Sequence, residues 1–162
     1  MLVYLDSSAI VKRYIKEAGT EIMDLVFEDA ETGRIKLFFS IWNVGEVLGI
    51  FDRYKRRKLM SEGELKGAVG KYTNEFTKLA TLRYLDVVPL YTNIIADAIK
   101  LILEYHVYEA DAIQMVSSKD RNCVLFLTAD RKLAKVARSI GINAFDVEKE
   151  GEQIKNFIES RN

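Results

Sequence analysis

One cysteine, one proline, one histidine and one tryptophan are all that 162 residues supply, and most of these scarcities close a class of function. Cys123 alone cannot form an internal disulfide, which fits a reducing interior and a cytoplasmic protein. His106 would have to serve any Ser-His-Asp or Cys-His mechanism, yet no nucleophile elbow or suitably placed cysteine accompanies it. Pro89 stands at a strand end, and no Pro/Gly-rich linker, low-complexity stretch or internal repeat divides the chain. One domain over residues 1–162 is the simplest account. Net charge is missing too: 24 Lys and Arg face 24 Asp and Glu, so total charge argues neither for nor against nucleic acid. No apolar run is long enough to span a bilayer, and the apolar start lacks the basic segment and cleavage pattern of a secretory signal. Gly67 and Gly70 interrupt a helical pattern without making a phosphate loop. Trp42 and the tyrosines show no clustering typical of a stacking platform, so they read as core.

What is present is the balance of a soluble globular chain, 49% apolar and 30% charged. LVYL at 2–5, IKLFF at 35–39, LDVVPL at 85–90, CVLFLT at 123–128 and NAFDV at 143–147 are short runs rich in β-branched and aromatic residues, each read as a strand. Helical stretches lie between them. SSAIVKRYIKEAG runs to Gly19 and TEIMDLVFEDAETG to Gly33, and the stretch after the fourth strand closes at Gly141, where helix C-caps are expected. Strands alternating with helices predict an α/β fold around a mostly parallel five-stranded sheet. The middle differs, because a helix from about 42 to 58 is followed by another from about 62 to 83 with no strand between. Ser61 and Glu64 form a capping-box signature for the second, and Leu65, Val69, Tyr72, Phe76 and Leu79 mark a packing seam along it. A helical hairpin at about 42–83 is therefore inserted in the frame, serving either core packing or a partner surface. A last helix is expected at about 150–160.

In open α/β sheets ligands bind outside the carboxyl ends of the strands. Asp6 follows the first strand and Asp130 the fourth, though an aspartate there also reads as a helix N-cap. Glu46, in SIWNVGEVLGIF, lies on the partly apolar flank of a helix whose main stripe is Val44, Val47, Leu48 and Phe51. Gly45 and Gly49 would let that flank approach neighbouring backbone. Asp111 sits in a first helical turn, where the macrodipole alone would welcome it. If all four converge, two carboxylates about 4 Å apart repel by about 4 kcal/mol at an effective dielectric near 20. Such a cluster needs protons or cations. Hard divalent ions suit an all-oxygen site without histidine or cysteine, and they could activate water and stabilise the leaving oxygen of a phosphodiester.

LDSSAIVKRY with Asp6, SIWNVGEV with Glu46, EADAIQMVSS with Asp111, and LTADRKL with Thr128 and Asp130 together resemble the motifs of PIN-domain nucleases, including VapC-type toxins. The likeness spans most of the chain and keeps the order of the motifs. It implies a three-layer α/β/α sandwich and hydrolysis of single-stranded RNA with one or two Mg²⁺ or Mn²⁺ ions. Asp6, Glu46, Asp111 and Asp130 would be the catalytic and metal-binding residues, and Ser7 and Thr128 would orient them. The partners implied are single-stranded or structured RNA, a cognate antitoxin and a second copy in a homodimer. The hairpin makes the chain longer than the compact toxins of the family. Arg131 and Lys132 stand where some relatives carry a further acid.

Basic residues gain a task from that reading, since phosphate contacts give affinity without reading sequence. Lys12 and Arg13 come soon after Asp6, Arg131 and Lys132 directly after Asp130, and Arg53, Arg56 and Arg57 two to three turns after Glu46. A solvated helix face is the plain alternative for each run. Two other functions stay open: a phosphorylation-responsive receiver-like module, and a catalytically idle RNA-binding or scaffold member of the same fold.

Overall fold

Each of the five apolar runs becomes a strand in the computed structural model, which describes residues 1–161. They are β1 (Leu2–Leu5), β2 (Lys36–Ser40), β3 (Leu85–Val88), β4 (Leu125–Thr128) and β5 (Ala144–Asp146). The order across the sheet is β3-β2-β1-β4-β5, and every pairing is parallel. The sheet expected to be mostly parallel is wholly so. Strand β1 lies at its centre, and Val3, Tyr4 and Leu5 are all 0% exposed, which is why that run can be apolar without interruption.

Period-two alternation divides the core between the two faces. Val3, Leu5, Leu37, Phe39, Leu125 and Leu127 pack on one side and Tyr4, Phe38 and Phe126 on the other. Among the described residues eight helices cover these faces: α1 (Ser7–Val11), α2 (Thr20–Glu31), α3 (Ile41–Arg56), α4 (Glu62–Thr81), α5 (Thr92–Tyr105), α6 (Glu109–Asp120), α7 (Arg131–Ser139) and α8 (Gly151–Glu159). The first face carries residues of α1 to α4 and α8, and the second those of α5, α6 and α7. The result is a three-layer α/β/α sandwich.

The first helix is shorter than its pattern predicts. It stops at Val11, and Gly19, expected to close it, instead opens α2 with φ +90°. Two ion-pair sets hold the intervening turn. Lys12 binds Glu17 and Glu148, while Arg13 binds Asp24 and Glu75. Gly19 also lies against Val147, whose Cγ2 would stand 3.0 Å from an added Cβ.

The helical hairpin forms as its punctuation predicts, with Ser61 and Glu64 bonding reciprocally at the start of α4. Tyr72 and Leu79 are buried, and Tyr72 meets Tyr14 and Phe51 edge-on at 5.4 and 6.2 Å between ring centroids. Glu75, 8% exposed, accepts hydrogen bonds from Arg13 and from the Tyr14 hydroxyl. Core packing is thus one role of the hairpin. Leu48, expected in the packed stripe of α3, is 41% exposed.

Candidate active site

Asp6 begins the site because β1 ends in the middle of the sheet and its successor must turn away. Its carboxylate is 4% exposed and caps α1. Oδ2 accepts from the Ser8 amide at 3.3 Å, from Thr128 Oγ1 at 2.8 Å and from the Ser8 hydroxyl. Burial pushes this carboxyl up, and the Ser8 and Thr128 bonds hold it partly back. Asp130 stands at the matching place beyond β4, exposed, where Oδ1 caps α7 by accepting from the amides of Lys132 at 2.7 Å and Leu133 at 3.1 Å.

Glu46 and Asp111 come from helices. After β2, Ser40 starts α3, and Glu46 faces the sheet edge with Oε2 accepting from Ser7 Oγ at 2.7 Å and Gln114 Nε2 at 3.1 Å. Burial raises its carboxyl, the Ser7 bond lowers it, the Asp6 charge raises it again, and Arg53 opposes that. Asp111 lies in the first turn of α6. It is pushed up to about 7 by burial and then by the charges of Asp6, Asp130, Glu46 and Glu109. All four carboxylates line one cavity of about 780 Å³.

Capping a helix and serving a site turn out to be compatible. The hydrogen bonds just described fall on a single oxygen of each carboxylate: Oδ2 of Asp6, Oε2 of Glu46 and Oδ1 of Asp130. These donors fix the side chains, and Trp42 and the Ser7 amide add further hydrogen bonds to Glu46 and Asp6.

A buried polar chain behind Glu46 is absent from the sequence reading. Asn43, 0% exposed, donates to Ser7 Oγ at 2.7 Å and to Gln114 Oε1 at 2.8 Å. Its Oδ1 accepts from the Ser40 amide at 2.7 Å and from the Tyr4 hydroxyl at 3.3 Å. Asn43 therefore orients both donors that hold Glu46. The available signal was spacing: Asn43 precedes Glu46 by three residues and Gln114 follows Asp111 by three, one helix face in each case. Ser7 donates to Glu46 and Thr128 to Asp6. Thr128 also accepts from the Asp130 amide at 2.9 Å and so ties the two aspartate turns together.

The donor set is chemically suited to a hard cation, being all carboxylate oxygen around one cavity. Among the described residues, no three His, Cys, Asp or Glu side chains are gathered closely enough to enclose one ion.

The basic candidates separate. Arg53 lines the carboxylate cavity, and Arg57 lines an adjoining one of about 320 Å³ that shares Ser8, Ile50 and Arg53 with the first. Arg56 turns to Asp52. Lys12 and Arg13 spend their charge inside the protein. Lys12 is 7% exposed, and Arg13 is held by Glu75 at 2.8 Å and Asp24 at 2.6 Å. Lys12 still touches the adjoining cavity, but between two glutamates. Arg131 lines a different cavity beside Arg138 and Glu150, and Lys132 is exposed.

Two further expectations change. Gly45 and Gly49 do not admit neighbouring backbone: nothing lies within 4 Å of an added Cβ at either, and both face the cavity. Trp42, read as core, is 37% exposed on the cavity wall, with Tyr108 at 56% on the same cavity.

Comparison with known proteins agrees with this frame. A family model described as PIN domain matches residues 3–139. Curated proteins give no match. Among solved structures, the crystal structure of PAE2754 from Pyrobaculum aerophilum aligns with a TM-score of 0.61 over 96% of this chain and 99% of that one. At 14% identity that likeness concerns the fold alone.

Proposed function

Since the chain belongs to the PIN domain family, whose members are generally nucleases, we propose that it is a metal-dependent endoribonuclease acting on single-stranded RNA. The observation that carries this reading is the convergence of Asp6, Glu46, Asp111 and Asp130 on one cavity at the carboxyl edge of the sheet. Mg²⁺ or Mn²⁺, held by these four residues directly or through water, would supply Lewis-acid polarisation of the phosphate and acidification of the attacking water. The protein's own part is positioning. Ser8 and Thr128 hold Asp6, and Ser7 and Gln114 hold Glu46. Asn43 fixes the last two donors, and the α7 amides fix Asp130. Arg53, at the cavity wall, offsets the repulsion between four carboxylates and an incoming phosphate.

The receiver-like alternative loses its support at the third strand. Asp86 in β3 forms an ion pair with Lys36 at 2.6 Å and does not line the carboxylate cavity. A homodimer remains part of the proposal. Tyr91 at the N-cap of α5 and Ile95, Ile99 and Leu103 along it recur every four residues and are 45–71% exposed, an apolar ridge that a second copy would cover. Light scattering of wild type against Leu103→Glu tests that element.

The test of the main proposal is cleavage of a defined single-stranded RNA with Mg²⁺ or Mn²⁺ and with EDTA. Activity should require the ion and collapse in Asp6→Asn and Asp111→Asn while circular dichroism shows an intact fold. Undiminished activity in both variants would overturn the assigned site.

A further inference from the structure

The carboxylate cavity has an aromatic wall that the chemistry described so far does not use. Trp42 enters from α3 and Tyr108 from the turn that caps α6, and they are 37% and 56% exposed. Large aromatics left in contact with water forgo part of the burial that would stabilise them. Around them the helix face is kept low: Gly45 and Gly49 line the same cavity with open space where side chains would stand. Further along that face Arg53 joins the cavity to its neighbour, which Tyr54 and Arg57 also line.

We propose that Trp42 and Tyr108 hold an unpaired nucleobase beside the scissile phosphate, with the adjoining strand running over Gly45 and Gly49 toward Arg53 and Arg57. This deepens the nuclease reading and rests on it. Aromatic faces stack on any base, so the contact selects single strands without reading sequence. A duplex cannot offer the base, because its faces are already stacked in the helix.

Trp42 is the only tryptophan in the chain, so its fluorescence reports the proposed contact directly. The titration uses a 12-nucleotide single-stranded RNA and the matching RNA duplex, in an Asp6→Asn background that leaves the RNA intact. The single strand should quench Trp42 emission and the duplex should not. Fluorescence anisotropy of labelled RNA should show Kd rising at least about fivefold for Trp42→Ala and for Tyr108→Ala, with Trp42→Phe retaining most of the affinity. Both positions are exposed, and thermal melts confirm that the variants fold. Equal quenching by duplex, binding without quenching, or a Kd within twofold of the parent in Trp42→Ala would each overturn the clamp. So would emission that changes with protein concentration before RNA is added, which would assign the patch to a second copy. Hydrolysis is scored separately in the Asp6-containing protein. RNA that binds as described but is never cleaved refutes the nuclease and leaves the clamp. Cleavage that Trp42→Ala and Tyr108→Ala do not impair, with unchanged Kd, refutes the clamp and leaves the nuclease.

Discussion

Replacing Asp111 by Asn should make the metal-free protein more stable at pH 8. Burial and the charges of Asp6, Asp130 and Glu46 push the Asp111 carboxyl from 3.8 up to about 7. Across that interval the folded protein holds a proton that the unfolded chain has released, so stability is lost as pH rises from the unfolded value through the folded one. The full penalty applies above about pH 7. At about 1.4 kcal/mol per pH unit it would be roughly 4 kcal/mol, and since the side chain is only half-buried, solvent screening leaves on the order of 2 kcal/mol. Asp6 and Glu46 are raised as well, so their contributions have the same sign. For a chain of this size, removing about 2 kcal/mol of penalty raises Tm by about 4–8 °C. The assay is thermal unfolding in EDTA at pH 5 and pH 8. The Asn variant should melt well above wild type at pH 8 and close to it at pH 5. Millimolar Mn²⁺ should reverse the order by stabilising wild type alone. An Asn variant as stable as wild type, or less so, at pH 8 in EDTA would refute the electrostatic crowding on which the site rests.

Three other outcomes follow from single residues. Glu75→Ala strands Arg13 with only the partly exposed Asp24 as partner, so urea denaturation should show a loss of about 2–4 kcal/mol; a loss under about 0.5 kcal/mol would contradict the buried pair. Gly45→Ala should raise stability by about 0.5–1 kcal/mol, because no neighbour lies within 4 Å of the new Cβ and helix propensity improves. Its cleavage rate should fall, and a variant both stabler and fully active would show that the open cavity floor is not needed. Asn43→Ala leaves Ser7 and Gln114 without their common partner, and kcat should drop about tenfold or more with KM less affected. Unchanged kcat would make that polar chain purely structural.

The frame was legible in the sequence because each strand is buried on both faces, and such strands must be apolar without interruption, as LVYL and LFLT are. Helix ends marked by Ser61 with Glu64, Gly33 and Gly141 were legible for the same local reason. The end of α1 was not. Its partners Glu75 and Glu148 lie far along the chain, and no local pattern reveals an ion pair over such separations. Convergence of the four carboxylates was implied only by the resemblance of their ordered motifs to the nuclease family. The Asn43 chain joins residues 4, 7, 40, 43, 46 and 114, and so escaped notice. Trp42 illustrates the opposite error: without clustered aromatics beside it in the sequence it read as core, but the adjacent glycines leave it facing an open cavity.

The most direct test of the central claim is one titration of Mn²⁺ into the protein with single-stranded RNA, reading bound ion by electron paramagnetic resonance and cleavage from the same samples. Ion binding and cleavage should rise together in wild type and vanish together in Asp6→Asn. Cleavage that continues in EDTA, or Mn²⁺ binding that Asp6→Asn leaves unchanged, would contradict a metal-dependent site built on these four carboxylates.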